Sequence, residues 1–286
     1  MTTENSTRSR TKHRREQVLE MVAEEMSANE IAETFGLSLS TVRRDLGALA
    51  KDSRIVRTIG GAVLARRSEM SWHDKIMVET AAKNQIAAKA VELIPDGSVV
   101  FLDAGTSVAT LASRLAGNRT LTLITSGLSS AIELADGVAT VIVLGGRLRR
   151  PNASLTGAMA NYMLDMVHPQ IAFIGCEALD PSRGLNCPDI EVAALKQRIM
   201  TQIKQSWILA DHTKFDVKET FSYWAQFGNT TGLITDEGSA TTYAECISTL
   251  EAKGHKVIVA QTSKRSYLDT ASSFSAASTT AARLVH

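Results

Sequence analysis

The chain has 286 residues, 44% of them hydrophobic and 21% charged, with a formal net charge of +1. This is the composition of an ordinary soluble globular protein, long enough for one large domain or for a small one plus a medium one. Its longest apolar runs, SVVFL and VIVLGG, are strand-length, so no membrane-spanning helix is expected.

The near-neutral total hides an asymmetry. Residues 1–67 carry 12 Lys/Arg against 9 Asp/Glu, and the basic residues cluster in the N-terminal arm, around Arg43 and from Arg54 to Arg67. Clustering of this kind creates a local positive field that attracts a polyanion. The first sixteen residues, MTTENSTRSRTKHRRE, have no apolar core and are not expected to act as a secretory signal. Cys176, Cys187 and Cys246 are odd in number, far apart and outside any CxxC arrangement. They fit a reducing cytoplasm and argue against a structural zinc site.

In chain order, residues 1–8 are expected as a disordered basic arm. Val18, Leu19, Val22 and Met26 repeat at helical spacing. Ser27 followed by Glu30 forms a capping box that should open a second helix with Ile31 and Phe35 inward. Gly36 supplies a turn, and Ser38 caps a third helix whose Val42, Leu46 and Leu49 face the core. Helix, glycine turn and helix over residues 26–45 make a helix-turn-helix. Ser38, Ser40, Thr41, Arg43 and Arg44 then fall on the outward side near the start of the third helix, where recognition helices meet base edges and phosphates. The alternative is a solvated charged face with Asp45 as a local partner. RIVRTIGGAV alternates as a short strand pair ended by Gly60-Gly61. Such a wing would bring Arg54 and Arg57 to the DNA backbone, completing a winged domain over residues 9–64. Residues 65–79 read as a linker.

From residue 80 to 262 the pattern changes. AAKNQIAAKAVELI is helical, and SVVFL, LTLIT, ATVIVLGG, QIAFIG, SWILAD, TGLITD and KVIVA are strand candidates, most of them separated by helices or loops. This alternation predicts a doubly wound, mainly parallel α/β domain. The Ser/Thr/Ala-rich residues 263–286 read as a flexible tail.

Ligands of such sheets bind beyond the carboxyl ends of the strands. SVVFL runs into Asp103, Gly105, Thr106 and Ser107; LTLIT into Thr125 and Ser126; VIVL into Gly145, Gly146 and Arg147. A Gly-Thr-Ser turn opening a helix offers free N–H groups and hydroxyls to a phosphate. Asp103 suits sugar hydroxyls, Arg147 adds charge if it turns inward, and Lys214 in ADHTKF is a further candidate. A glycine at a strand end also serves chain reversal alone. GxGxxG, GxxxxGK[ST] and GxSxG are absent, so no dinucleotide, nucleoside triphosphate or nucleophile elbow is expected. No catalytic residue, metal ligand or cofactor is assigned.

These motifs, in this order, make residues 10–262 resemble the DeoR family of bacterial transcription regulators. The resemblance rests on EIAETFGLSLSTVRRDLGAL and RTIGGA, then on FLDAGTS, LITSGL, VLGGRLR, the Gly157 segment, IAFIG, GLNCPDIEVAALK, LADHTKF and LITD. It implies a winged helix-turn-helix followed by a sensor domain similar in fold to ribose-5-phosphate isomerase. The implied function is repression of a carbohydrate-use operon through a double-stranded DNA operator, with release by a phosphorylated sugar or related metabolite. A cytoplasmic homo-oligomer, dimer or tetramer, is expected. The resemblance places Asp103, Gly105, Thr106 and Ser107 in the effector pocket, with Thr125, Gly145, Gly146 and Lys214 as the next candidates. Ser126, Ser53, Ile59 and Lys75 depart from the family pattern, which usually has Asn, Gly, His and Arg at these places. The alternative function is a sugar-phosphate isomerase-like enzyme with an accessory DNA-binding domain, using Asp103 and Lys214 as acid–base groups.

Overall fold

The computed structural model describes residues 3–24, 26–51, 55–58, 61–64, 69–217 and 220–261, without the side chains of residues 3–10, 12, 23, 51, 56–58 and 61–64. The chain divides into two compact units, one of Met1–Met70 with Lys218–Phe221 and one of Ser71–Val217 with Ser222–His286.

The first unit holds helices α1 (Thr3–Ala23), α2 (Ala28–Phe35) and α3 (Leu39–Lys51) and an antiparallel strand pair, β1 (Ile55–Thr58) and β2 (Gly61–Leu64). Val18, Val22, Ile31, Val42, Leu46, Leu49 and Ile55, from the three helices and β1, share a core. The expected strand pair is present, but Gly61 opens its second strand opposite Thr58 and does not end the pair. The arm expected to be disordered over residues 1–8 is helical from Thr3 onward. Thr3–Ala23 contains neither Gly nor Pro. Once burial of Val18 and Val22 fixes the last turns, each further helical residue adds a hydrogen bond without a new nucleation cost.

The second unit opens with α4 (Trp72–Ile76) and α5 (Thr80–Val91). Then follow β3 (Val99–Leu102), α6 (Thr106–Leu115), β4 (Thr122–Thr125), α7 (Leu128–Leu134) and β5 (Thr140–Val143). A hairpin, β6 (Arg147–Arg149) and β7 (Ser154–Thr156), leads to α8 (Ala158–Met166) and β8 (Ile171–Ile174). The rest comprises β9 (Ala178–Asp180), β10 (Gly184–Cys187), α9 (Ile190–Gln202), β11 (Gln205–Leu209), a 3₁₀ turn (His212–Lys214) and β12 (Tyr223–Ala225), then β13 (Thr231–Asp236), α10 (Glu237–Thr242), α11 (Ala244–Ala252) and β14 (Val257–Ala260).

The seven apolar runs read as strands are the seven strands of one sheet, in the order β14-β13-β11-β8-β3-β4-β5, and every pairing between neighbours is parallel. Alternate residues of each strand feed opposite faces. Val100, Leu102 and Phe173 pack under α5, α6 and α7, while Phe101, Ala172 and Ile174 pack under α8 and α9. Helices on both faces explain why these strands read as continuous apolar runs.

The stretch expected as a linker over 65–79 is partly structured. Ser71 accepts from the Asp74 N–H (3.2 Å) and donates to Asp74 Oδ2 (2.7 Å), which caps α4 and places residues 71–79 in the second unit. Residues 65–68 and the expected tail, 263–286, lie outside the described residues.

Candidate functional site

In the first unit the capping box is closed in both directions. The Glu30 N–H donates to Ser27 Oγ (3.3 Å) and the Ser27 N–H to Glu30 Oε2 (2.7 Å). Gly36 adopts φ +60°, the left-handed conformation that ends α2 cheaply. Ser38 Oγ accepts from the Thr41 N–H (3.2 Å) and shares hydrogen bonds with the hydroxyls of Ser40 (2.9 Å) and Thr41 (2.8 Å), so the start of α3 carries a fixed cluster of hydroxyls.

Asp45 is buried and accepts from Arg14 (2.7 and 3.1 Å) and Arg15 (3.2 Å) of α1. Burial opposes its charge, but the two guanidinium groups hold the carboxyl below its ordinary range. With Asp45 engaged on α1, it is not the local partner of the twin arginines of α3. Arg43 and Arg44 are exposed, and no carboxylate pairs with either among the described residues. Arg57 lies on β1 by its backbone, without a described side chain, and Arg54 lies outside the described residues.

In the second unit, β3 and β8 are spatial neighbours although β4 and β5 separate them in the chain. The strand order reverses between them, and the crevice at that reversal is where open α/β sheets bind ligands. A solvent-open cleft of about 460 Å³ lies there. Gly105, Thr106 and Ser107 line it from the start of α6, and Gly175, Cys176 and Glu177 from the end of β8. Lys75, Asn152, Asn186, Lys196 and Lys214 complete its polar wall. The first turn of α6 has no side-chain cap, which leaves its N–H groups for a ligand or water. The Asn152 Oδ1 is buried and lacks a hydrogen-bond partner.

Two ion pairs organise the cleft. Lys196 Nζ donates to Asp103 Oδ2 and to the Gly175 carbonyl (2.6 Å), tying β3 to β8. Asp103 also accepts from the Gly175 N–H and from Ser126 Oγ, each at 3.3 Å. Burial works against the Lys196 charge, but Asp103 keeps its pKa above the ordinary value. At the rim, Lys75 donates to Glu177. Buried Lys83 on α5 donates to the Lys75 carbonyl (2.5 Å). Burial pushes Lys83 down to about 8, with Asp211 opposing the shift and Lys214 adding to it. Asp211 is fully buried, and its Oδ2 has no hydrogen-bond partner. Lys214 carries no carboxylate partner among the described residues. Burial pushes the Cys176 thiol up to about 12.

Of the effector residues expected from sequence, Gly105, Thr106, Ser107 and Lys214 line the cleft. Asp103 and Ser126 sit behind it against Lys196. The other four do not converge on it. Thr125 is fully buried and its Oγ1 accepts from the Gly127 N–H (3.0 Å), shaping the turn. The Gly145 N–H donates to Met163 Sδ (3.0 Å). A Cβ at Gly146, which has φ +140°, would lie 2.5 Å from the Thr156 carbonyl oxygen, so this glycine permits backbone packing. Arg147 turns outward onto Glu191 (2.6 Å) and Asp189 (3.9 Å).

Lys75, Asn152, Glu177, Asn186 and Lys196 were not expected in the site. Lys196 had a signal in the sequence, because it lies on the helical stripe of Val192, Ile199 and Met200, all of them buried. A lysine on an apolar face is buried only if paired. Lys83 has the same signal beside Ile86, Ala87 and Ala90.

Family models account for both units. The DeoR-like helix-turn-helix domain matches residues 14–68 and the DeoR C terminal sensor domain matches residues 78–237. The protein is therefore a DNA-binding transcription regulator with a separate sensor domain. It belongs to the DeoR family. A candidate aga operon transcriptional repressor from Escherichia coli O157:H7 is 32% identical, over 72% of this chain and 79% of that protein. The transcriptional repressor AccR of Agrobacterium fabrum is 30% identical, over 81% and 92%. The glycerol-3-phosphate regulon repressor of Escherichia coli K12 is 30% identical, over 69% and 80%. A ribose-5-phosphate isomerase of Methanocaldococcus jannaschii is 19% identical, over 46% of this chain and 53% of that one, at a TM-score of 0.35.

The family is one of regulators, which disfavours the isomerase alternative. The geometry gives that alternative no help, since Asp103 is bonded to Lys196 behind the cleft. Among the described residues no helix is long and apolar enough to cross a membrane.

Proposed function

We propose that this regulator represses a carbohydrate-use operon and is released when a phosphorylated sugar binds the cleft between β3 and β8. It acts in the cytoplasm as a homo-oligomer, whose paired α3 helices engage repeated half-sites in successive major grooves. Ser38, Ser40, Thr41, Arg43 and Arg44 contact the operator, with Arg54 and Arg57 on the flanking backbone. The reading is supported by one observation above the others. The uncapped start of α6 faces a cleft that also holds an unpaired lysine, Lys214, and an amide oxygen in want of a donor, that of Asn152. The first two suit a phosphoryl group and the third a sugar hydroxyl. The names of relatives, which include a glycerol-3-phosphate regulon repressor, favour the same ligand class.

A coupling of about 1–3 kcal/mol between the sites would change operator occupancy roughly 5–150-fold. The test joins a thermal-shift screen of sugar monophosphates to gel-shift titration on DNA from upstream of the protein's own gene. Arg43→Ala and Arg44→Ala should each weaken operator binding and flatten its dependence on salt by about 0.9 in log–log slope per lost phosphate contact. Thr106→Ala and Lys214→Ala should leave operator affinity intact and blunt release. Full release in both of the latter variants would move the effector elsewhere, and unchanged operator affinity in both arginine variants would refute the DNA-binding face.

A further inference from the structure

The helix α4 follows the last residue of the first unit directly and has no buried residue. Hydrogen bonds tie it to the rest of the second unit. The Trp72 N–H donates to the Pro151 carbonyl (2.8 Å), Lys75 Nζ to Glu177, and Lys83 Nζ to the Lys75 carbonyl (2.5 Å). Ile76 at its end and Met77 and Val78 beyond it are exposed, and Trp72 is only half-buried. One of these ties is made by the Lys75 side chain and another by its carbonyl, and both Lys75 and Glu177 line the cleft. A lysine shared between a carboxylate and a cleft open to solvent is available to a second anion. A phosphoryl dianion at the start of α6 competes with Glu177 for it and also repels that carboxylate.

We infer that Lys75 is an anion-binding residue of the cleft, and that a bound phosphoryl group takes it from Glu177 and so shifts α4. Occupancy is then read by the helix joined through only Ser71 to the end of the DNA-binding unit. This rests on the proposed reading of the cleft as a phosphorylated-ligand site, and adds the residue through which binding becomes regulation.

The experiment is hydrogen–deuterium exchange on the full chain, titrated with inorganic phosphate in a phosphate-free buffer. Peptides spanning 72–79 and 104–110 are followed separately. In the unmodified protein both should respond with one midpoint, residues 72–79 changing their exchange rate at least twofold. Lys75→Met should abolish the response of 72–79 and raise the midpoint at 104–110 about fivefold. Glu177→Gln, which removes the competing carboxylate, should lower the midpoint severalfold. Protection of 104–110 with 72–79 silent would overturn the inference and leave the cleft reading standing. So would a Lys75→Met response equal to that of the unmodified protein, or an unaltered midpoint in Glu177→Gln. Phosphate acting on neither segment would remove the cleft reading, and this inference with it.

Discussion

Lys83 provides a direct measure of how strongly the sensor unit constrains charge. It is buried on α5, donates to a backbone carbonyl and has two other lysines, Lys75 and Lys214, in its field. Holding a lysine at about 8 instead of 10.5 corresponds to about 3 kcal/mol of interaction against its charged form. The direction of the pH effect follows from proton counting. Below pH 8 the folded and unfolded chains both carry the proton, and the folded state bears the whole cost of the buried charge. Between about 8 and 10.5 the unfolded chain still binds the proton while the folded one has released it, so stability rises with pH. Above 10.5 the effect levels off. Other titrating groups cancel in a comparison with Lys83→Met, which fills similar volume without a charge. All three tryptophans, Trp72, Trp207 and Trp224, belong to the second unit, so urea unfolding followed by tryptophan fluorescence reports on it. Relative to Lys83→Met, the unmodified protein should gain about 3 kcal/mol between pH 7.5 and 10.5. A difference flat to within about 0.5 kcal/mol over that range would refute the reasoning.

Other substitutions separate stability from recognition. Asp45→Asn should destabilise the first unit by about 2 kcal/mol at neutral pH, less than the 3–5 of a fully buried pair because Arg14 and Arg15 are each about one-third exposed. The folded-state pKa of Asp45 is lowered, so this contribution is complete above the unfolded value near 3.9 and is lost as pH falls through the folded one. Circular dichroism melts of both proteins at pH 7 and pH 3 check the cost and its loss. Gly146→Ala should destabilise the second unit by about 2–4 kcal/mol through strain and the clash with Thr156, yet leave the thermal shift given by a sugar phosphate unchanged. A stable variant with a lost ligand shift would restore Gly146 to the effector site. Asp103→Asn and Glu177→Gln should each cost about 3–5 kcal/mol by stranding a shielded lysine, Glu177→Gln at the lower end because Lys75 and Glu177 keep 12% and 10% exposure against 7% and 5% for Lys196 and Asp103. A loss under about 1 kcal/mol for either variant in urea unfolding would mean that its lysine is not stranded in the folded state.

What the sequence revealed follows from the range of the forces involved. The strands of the large sheet were legible because each is buried on both faces and reads as an uninterrupted apolar run, as in IAFI of β8. The helix-turn-helix was legible because Ser27, Glu30, Gly36 and Ser38 satisfy backbone groups within four residues of themselves. The small sheet β12-β10-β9 was not legible. GLNC and YWA have no apolar period, and their pairing joins Leu185 to Ala225 across the intervening α9, β11 and 3₁₀ turn. The cleft divides in the same way. Gly105, Thr106 and Ser107 belong to one local turn, whereas Lys75, Asn152, Glu177 and Asn186 arrive from four separate loops or short elements, and no spacing connects them. Thr125, Gly145 and Gly146 misled because a hydroxyl or a glycine after a strand serves turn geometry and ligand approach equally well in sequence. Only packing around them, such as the Thr156 carbonyl against Gly146, tells the two apart.

The cleft contains more charge than a ligand would sense. Lys196 and Asp103 cancel behind its wall, and Lys75 and Glu177 cancel at its rim. Lys83 lies in the field of Asp211 and Glu79 as well as of Lys214 and Lys75, while Lys214 lines the cleft without a carboxylate partner among the described residues. An entering dianion thus meets roughly one uncompensated cation and the positive end of α6, enough to orient a phosphoryl group without binding it irreversibly. Whatever additional affinity it gains must come from displacing a carboxylate, and the two available differ sharply. Asp103 is held by Lys196, Ser126 and the Gly175 N–H away from the cleft, so freeing its lysine would leave a charge stranded in the interior. Glu177 lines the cleft itself, where water or ligand hydroxyls can replace the lysine. Exchange at Glu177 is therefore the less costly of the two, and the lysine it frees lies on the helix that leads back to the DNA-binding unit. A sensor built this way spends part of its binding free energy on moving α4, which is the condition for a ligand to alter operator affinity rather than merely occupy a pocket.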